Sequence, residues 1–155
     1  MIEYKSFSRE LKITVKEGDV AFHKSKITRS SDINEYVRKF YNDDIELYES
    51  FFVLFLNQVH NTIGWIKLSQ SGISGTVADP RLIAKYAIET LCSVVVLVHN
   101  HPSGSSNPSE QDKAITEKIK DGLKLFDIRV LDHLILTKES YYSFADEGLC
   151  NYLNQ

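Results

Sequence analysis

Two short segments of the chain are apolar at nearly every position, and they constrain its fold more than any other feature. Residues 50–56 read SFFVLFL and residues 93–98 read SVVVLV. Runs of this length that are rich in β-branched and aromatic residues are typical of strands buried on both faces. Such strands need a layer of helices on each side, so the sequence predicts a layered α/β domain.

Amphipathic segments around these strands supply the predicted helices. Ser30 or Ser31 can cap a helix that ends at about Tyr41. Asp79 and Pro80 start a second helix, because an N-cap residue precedes proline at the first helical position. The remaining predicted elements are a helix over residues 109–125 and strands over residues 11–16, 62–68, 128–136 and 141–144.

The composition fits one globular domain. The chain has 155 residues, of which 43% are apolar and 25% charged, enough to bury a core. Its two cysteines, Cys92 and Cys150, form no C-x-x-C pair, so a disulfide framework is not expected. The N-terminus lacks the pattern of a signal peptide, and both apolar runs, residues 51–56 and 94–98, are far too short to span a bilayer. We therefore expect a soluble cytoplasmic protein without a membrane partner.

The charge balance bears on the class of partner. Eighteen basic and twenty-one acidic residues give a net charge of −3. Proteins that bind nucleic acids usually show a basic excess or a basic stripe. The balance therefore disfavours a nucleic-acid partner without excluding a local basic patch. The sequence gives no indication of the oligomeric state.

Two histidines, His99 and His101, follow the second apolar run. Residues i and i+2 of an extended chain point to the same face. Both imidazoles should therefore project together from the carboxyl end of the strand, the edge where α/β sheets place ligands. An H-x-H pattern alone is as compatible with two polar residues leaving the core as with a metal site.

Asp112 adds a carboxylate on the next predicted helix. The helical period places it on the apolar side, with Ile115, Ile119, Gly122, Leu123 and Phe126. An inward-facing carboxylate needs a cation or several hydrogen bonds. The alternative is a capping box between Ser109 and Asp112, which explains the position along the helix but not the inward face. A metal shared with the two histidines explains both.

Two imidazoles and one carboxylate leave the fourth position of tetrahedral zinc open, as in a catalytic site. Zinc in such a site lowers the pKa of a coordinated water molecule to about 7. The sequence thus predicts one Zn²⁺ per chain, held by His99, His101 and Asp112. Neither cysteine has the partner spacing of a zinc ligand.

These residues resemble a known family. Residues 99–104 (HNHPSG) and 108–112 (PSEQD) match the pattern H-x-H, seven residues, S-x-x-D of JAMM metallopeptidases. With LDHLI at 131–135 and YSF at 142–144, residues 45–150 are similar to the bacterial RadC family in particular. The resemblance implies an α-β-α sandwich with a mixed β-sheet, like that of JAMM and cytidine-deaminase domains. It also implies a zinc-dependent hydrolase of peptide or isopeptide bonds, with a protein or peptide substrate.

The family pattern includes a glutamate just ahead of a core strand. Glu49 resembles this residue, and Glu46 is its competitor. A carboxylate that is not a ligand can take the proton of the attacking water and pass it to the leaving amine. In the family, the residue matching Ser109 points its hydroxyl at the developing oxyanion. The alternative for Ser109 is plain N-capping, and one hydroxyl cannot do both in one rotamer.

Three further residues are candidates near this site. Asn100 and Ser103 flank His101 and are candidates for substrate contact. His133 follows Asp132 in a predicted strand. It is expected to be a hydrogen-bonded interior histidine, with support of a zinc ligand as the other interpretation.

Longer RadC proteins carry an N-terminal helix-hairpin-helix region, and nothing before residue 45 resembles it. We expect residues 1–44 to form a strand-helix extension packed on the core and residues 45–155 to form the catalytic unit. Two other functions stay open: a DNA-repair or mobile-element accessory protein, as the family label suggests, and a catalytically silent interaction domain. A nucleobase deaminase is excluded because H-x-E and P-C-x-x-C are both missing.

Overall fold

The computed structural model describes residues 23–41, 43–71 and 78–150. The strand predicted at residues 11–16 lies outside the described residues. In chain order the elements are α1 (Ser30–Val37), a 3-10 helical turn (Arg38–Phe40), β1 (Glu49–Leu56), β2 (Thr62–Ser71), α2 (Pro80–Glu89), β3 (Val94–Asn100), α3 (Glu110–Lys124), β4 (Arg129–Leu136) and β5 (Tyr141–Ser143).

The five strands form one mixed sheet in the order β2-β1-β3-β4-β5. Strand β1 is antiparallel to both β2 and β3. Strands β3 and β4 are parallel and are joined through α3, while β5 closes the sheet antiparallel to β4. A parallel pair needs a crossover connection, and α3 supplies it.

Each face of the sheet is covered by helices. Along β1, Phe52 and Leu54 pack toward α1, and Val53 and Phe55 pack toward α2 and α3. Successive side chains of a strand point to opposite faces, so an all-apolar strand fills both layers. The predicted α-β-α sandwich with a mixed sheet is confirmed.

Neither predicted serine caps α1, so this detail of the sequence analysis is wrong. The N-cap residue is Arg29. Its backbone N–H and that of Thr28 donate to the Asp32 carboxylate at 3.2 and 2.8 Å. Ser30 is buried, and its hydroxyl donates to Asp146 at 2.6 Å. A distant tertiary partner thus takes the hydroxyl that local sequence assigned to capping.

The apolar side of α3 is narrower than predicted. Ile119 and Leu123 are buried, but Gly122 is exposed and Phe126 is 51% exposed. Phe126 lies beyond the last residue of the helix, where the helical period no longer decides which way a side chain points. Gly122 lies at the edge of the apolar stripe.

The topology brings four chain segments to one edge of the sheet. Strands β3 and β4 end there, and the antiparallel strand β1 begins there at Glu49. The loop of residues 101–109 leads from the end of β3 to the first turn of α3. This edge carries the candidate site.

Candidate metal centre

The two histidines lie side by side at the end of β3. His99 is almost fully buried. His101 follows the strand but stays extended, because its N–H donates to the Leu136 carbonyl at 2.9 Å. Both rings therefore point to the α3 face, and their Nε2 atoms are 2.9 Å apart.

Asp112 projects from the first turn of α3 toward the two imidazoles. Its Oδ1 lies 3.2 Å from Nε2 of His99, and its Oδ2 lies 3.6 Å from Nε2 of His101. The Asp112 side chain is 15% exposed. One ligand atom from each of the three residues falls within a span of 4.8 Å, so the group could hold a metal ion.

Asp112 also completes the capping box that the sequence analysis treated as the alternative. The N–H and the hydroxyl of Ser109 donate to Asp112 Oδ2 at 2.6 and 2.7 Å. The N–H of Asp112 donates back to the Ser109 hydroxyl oxygen at 3.1 Å. Since a carboxylate has about four acceptor positions, Oδ2 can serve the helix while Oδ1 faces His99. The capping box is present, and it does not exclude a metal site.

The spacing of the three side chains suits zinc. Ligands about 2.0–2.1 Å from zinc at tetrahedral angles are roughly 3.3 Å from one another. The contacts in the cluster are of similar length: 2.9 Å between the two imidazoles, 3.2 Å from His99 to Oδ1 of Asp112 and 3.6 Å from His101 to its Oδ2. Two imidazoles with one carboxylate also form a donor set found in catalytic zinc sites. The residues therefore fit a zinc ion held by three side chains.

The electrostatics favour a positive charge in this cluster. Burial alone would raise the pKa of Asp112, but the contacts with His101 and His99 outweigh it and hold that pKa well below its ordinary value. The pKa of His101 is raised, mainly by its contact with Asp112 and also by the nearby Glu49. A proton on His101 or a metal cation can supply the charge that the carboxylate needs.

The protonation of His101 follows from its second nitrogen. Nδ1 lies 2.7 Å from the carbonyl oxygen of Ser105. A carbonyl only accepts, so this nitrogen carries a hydrogen. In neutral His101, Nε2 then keeps the lone pair that a metal ligand requires.

Glu49 begins β1, the strand next to the one that carries the histidines. The antiparallel register pairs Phe51 with His99, and two further positions place Glu49 opposite His101 on the same face. Glu49 is half-buried. Glu46 belongs to the preceding turn, is 54% exposed and forms an ion pair with Lys138 at 2.8 Å. Of the two candidates, only Glu49 is on the strand that borders the cluster.

Asn100 has a role that the sequence analysis missed. It is fully buried, and its Oδ1 accepts from the N–H of Ser50 at 2.8 Å. Its Nδ2 donates to the carbonyls of Ile45 and Tyr48 at 2.6 and 2.7 Å. The amide thus ties the turn that leads into Glu49 to β3, instead of facing a substrate. The sequence does contain a signal for this role. Asn100 stands between two histidines of an extended segment, so its side chain must point to the opposite face of the sheet.

His133 and Ser103 lie at different distances from the cluster. His133 is fully buried, its ring stacks on Phe144, and its Nε2 is 2.8 Å from Nδ1 of His99. It is both an interior histidine and a neighbour of a candidate ligand. Burial lowers the pKa of His133 well below its ordinary value. Ser103 is exposed in the loop after His101, and its contact with substrate stays a prediction.

The cysteines are separate from this cluster. Cys92 and Cys150 are both buried free thiols. Burial raises the pKa of Cys150 to about 12 and also raises that of Cys92. A protonated thiol is a poor nucleophile and a poor ligand, so neither is suited to the chemistry of the site.

The fold and the site define a JAB-type domain. The sequence model of the RadC-like JAB domain family matches residues 27–149. The chain belongs to this family. The match starts well ahead of residue 45, where the resemblance was expected to begin, and so includes α1. The boundary predicted near residue 44 stays a prediction.

Several bacterial UPF0758 proteins are similar in sequence. One from Flavobacterium johnsoniae is 49% identical over 102 residues, which cover 66% of this chain and 44% of that protein. The UPF0758 protein YfjY of Escherichia coli is 45% identical over 101 residues, 65% of this chain and 63% of the relative. One from Photobacterium profundum is 38% identical over 140 residues, 90% of this chain and 59% of the relative. The chain thus spans between 44% and 63% of the length of these three relatives. In the part of the chain that the structure describes, no helix has the length and apolar character to cross a membrane.

Proposed function

We propose that this chain is a zinc-dependent hydrolase of the JAMM type that cleaves a peptide or isopeptide bond. His99, His101 and Asp112 would hold one Zn²⁺ per chain. The observation that carries the proposal is the convergence of these three side chains within 4.8 Å, with Glu49 on the adjacent strand, two residues before the partner of His99. Membership of the RadC-like JAB family supports a hydrolase at the level of the family.

Zinc, when bound, supplies a Lewis acid that polarises a carbonyl and acidifies a water molecule. The protein supplies the proton transfer. Glu49 is a half-buried carboxylate outside the ligand set, and it accepts the proton of the attacking water on a carboxylate oxygen. It then returns that proton to the leaving amine, as a general base that becomes a general acid.

Ser109 has two roles in this proposal. Its hydroxyl donates to Asp112 at 2.7 Å, which orients the carboxylate ligand. To stabilise an oxyanion, the same hydroxyl must exchange this bond for one to the developing negative charge, which is favourable only while that charge exists. The cap at the Asp112 N–H needs only the oxygen of Ser109 and can persist.

A peptide fits the charge of the chain better than a nucleic acid does. The net charge is −3, and binding through phosphates needs lysine or arginine to replace counterions. We therefore propose a protein or peptide as the partner. Binding of DNA that weakens steeply with added salt would contradict this choice and favour the accessory function.

The test uses two matched substitutions on the whole chain. Glu49→Gln and Glu46→Gln make the same chemical change three residues apart. Both variants should retain about one zinc per chain by elemental analysis, because neither glutamate belongs to the ligand set. Only Glu49→Gln should lose turnover of a library of peptides and isopeptides, by a factor of about 10²–10⁴.

Two results would overturn the proposal. If wild-type protein holds no zinc after metal loading, the proposed metal site is wrong. If Glu49→Gln and Glu46→Gln lose turnover equally, the assignment of Glu49 as the base is wrong. His99→Ala serves as the reference for metal loss, because it removes one ligand nitrogen.

A further inference from the structure

A chain of hydrogen bonds runs from the Asp112 carbonyl through Thr116 and His133 to His99, on the side of the His99 ring that faces away from the other candidate ligands. We propose that His133 and Thr116 are positioning residues that hold His99 in the tautomer with its hydrogen on Nδ1, so that Nε2 is presented to the metal. The inference rests on the proposed zinc site, but it concerns groups that lie behind that site.

The first step fixes the hydrogen of Thr116. Its Oγ1 lies 2.6 Å from the carbonyl oxygen of Asp112, one turn earlier in α3. A carbonyl oxygen only accepts, so the threonine hydroxyl must donate in this contact. Such contacts are common for threonine in helices and need no further function by themselves.

The second step fixes the hydrogen of His133. The same Thr116 oxygen lies 2.6 Å from Nδ1 of His133. Since the hydroxyl hydrogen is already donated, the oxygen must accept here, and Nδ1 of His133 carries the hydrogen. His133 is fully buried and its ring nitrogens contact a hydroxyl and an imidazole, so a charged ring would be costly. Its Nε2 therefore carries a lone pair.

The third step reaches the ligand. Nε2 of His133 lies 2.8 Å from Nδ1 of His99. Because His133 accepts, His99 donates from Nδ1, and in its neutral form it keeps the lone pair of Nε2. That lone pair faces His101 at 2.9 Å and Asp112 at 3.2 Å. The hydrogen bond on one nitrogen of a histidine sets which nitrogen can bind a metal.

The chain also links two of the candidate ligands. It begins at the backbone of Asp112 on α3 and ends at the side chain of His99 on β3. A change in the position of α3 along β3 would break one of its three bonds. Thr116 and His133 thus hold both the tautomer of His99 and the position of the aspartate turn relative to the strand.

The test compares the removal of two buried hydroxyls. Thr116→Val keeps the shape of the side chain but can neither donate nor accept. Thr62→Val is the matched control: Thr62 is buried, its hydroxyl oxygen accepts from the N–H of Ser25 at 2.9 Å, and it lies opposite Leu56, at the other end of β1 from Glu49. Partners that orient metal ligands typically change affinity by 10–100-fold. We expect zinc to bind about 10-fold more weakly to Thr116→Val than to wild type, by competition with a chromophoric chelator.

Thr116→Ser keeps the hydroxyl and should restore the affinity for zinc to nearly that of wild type. The control Thr62→Val should bind zinc like wild type even if its melting temperature falls. A purely structural role for Thr116 predicts instead that affinity follows stability, with both variants equally affected. Equal zinc affinity in wild type and Thr116→Val would overturn the proposal.

The tautomer itself can be observed in metal-free wild-type protein by nitrogen NMR of the histidine rings. We expect the hydrogen of neutral His99 on Nδ1, and a loss of this preference in Thr116→Val. A hydrogen on Nε2 of His99 in the wild type would refute the inference without any variant. The two proposals fail separately: a chain that binds no zinc contradicts the proposed function, while the ring NMR still decides the tautomer.

Discussion

A single carboxylate does two structural tasks at this site. Oδ2 of Asp112 receives both donors of Ser109, and Oδ1 faces His99. The helix cap fixes the rotamer of the side chain, and the rotamer aims the other oxygen at the histidines. A side chain held in place before the metal arrives loses little conformational entropy on binding. The cap therefore contributes to the organisation of the proposed ligand set.

The two tasks can be separated by substitution. Asp112→Asn keeps an oxygen that accepts from Ser109 but loses the negative charge, so zinc affinity should fall by more than about 100-fold, beyond the usual effect of supporting residues. Ser109→Ala keeps the charge but loses the cap, which costs about 1 kcal/mol of stability. Zinc titration of both variants measures the affinity, and urea unfolding measures the stability. Full zinc affinity in Asp112→Asn would remove the carboxylate from the ligand set.

At the scale of elements, Asn100 joins two parts of the site. Its amide links β3 to the turn of residues 45–48, and so sets where β1 begins. Strand β1 pairs directly with β3, but the histidines also depend on the pairing of β3 with β4, whereas Glu49 also depends on this turn. The proposed base and the proposed ligands are therefore held in part by different contacts.

This arrangement predicts the effect of Asn100→Leu, which keeps the branched outline of the side chain but removes its polar atoms. The substitution leaves the Ser50 N–H and two carbonyls without the amide, each at a cost of about 1 kcal/mol or more. We expect a stability loss of roughly 3 kcal/mol and a fall in turnover larger than the fall in zinc affinity. Parallel assays of zinc affinity and peptide cleavage measure the two effects. If both fall by the same factor, the amide acts on the whole site and not on Glu49 alone.

Most elements could be predicted from the sequence because their signals are local. All-apolar runs predicted β1 and β3, and the proline after Asp79 predicted the start of α2, where Asp79 does cap the helix. The features that could not be predicted depend on distant partners. Ser30 leaves its capping role for Asp146, and Asn100 turns away from the cleft to bind the turn before β1. Strand order and register bring these partners together, and single-sequence patterns do not contain them.

The same division applies to the candidate site. Motif spacing and side-chain periodicity predicted the convergence of His99, His101 and Asp112. Neither could predict Thr116, because a threonine on a helix is usually explained by its bond to the preceding turn. Only the packing of α3 on β4 brings its oxygen to His133.

At the scale of the molecule, one buried carboxylate on β4, that of Asp132, connects this strand to β5 and to the residues that follow it. Asp132 is fully buried and accepts from the N–H groups of His133 and Ala145 and from the hydroxyl of Ser143. It thereby fixes the chain after β5, including Phe144, which stacks on His133. Asp132 thus links the last described residues to His133, which contacts the candidate ligand His99.

This arrangement makes the stability of the whole domain depend on pH. Burial raises the pKa of Asp132 from 3.8 to about 6, against the hydrogen bonds that lower it. Between these values the folded protein retains a proton that the unfolded chain has released. The unfolded state then binds fewer protons, so the free energy of unfolding falls as the pH rises through this window. At about 1.4 kcal/mol per pH unit, the contribution lost by neutral pH is roughly 3 kcal/mol.

Asp132→Asn removes the titration while keeping an oxygen for the two backbone N–H groups and an amide that can donate to Ser143. The variant should therefore gain stability relative to wild type as the pH rises from about 4 to 7, by up to about 3 kcal/mol. Urea unfolding of metal-depleted protein at several pH values measures the difference, and other titrating groups cancel because both proteins share them. A stability difference that stays constant across this range would mean that Asp132 keeps its ordinary pKa, and that its three donors compensate for burial.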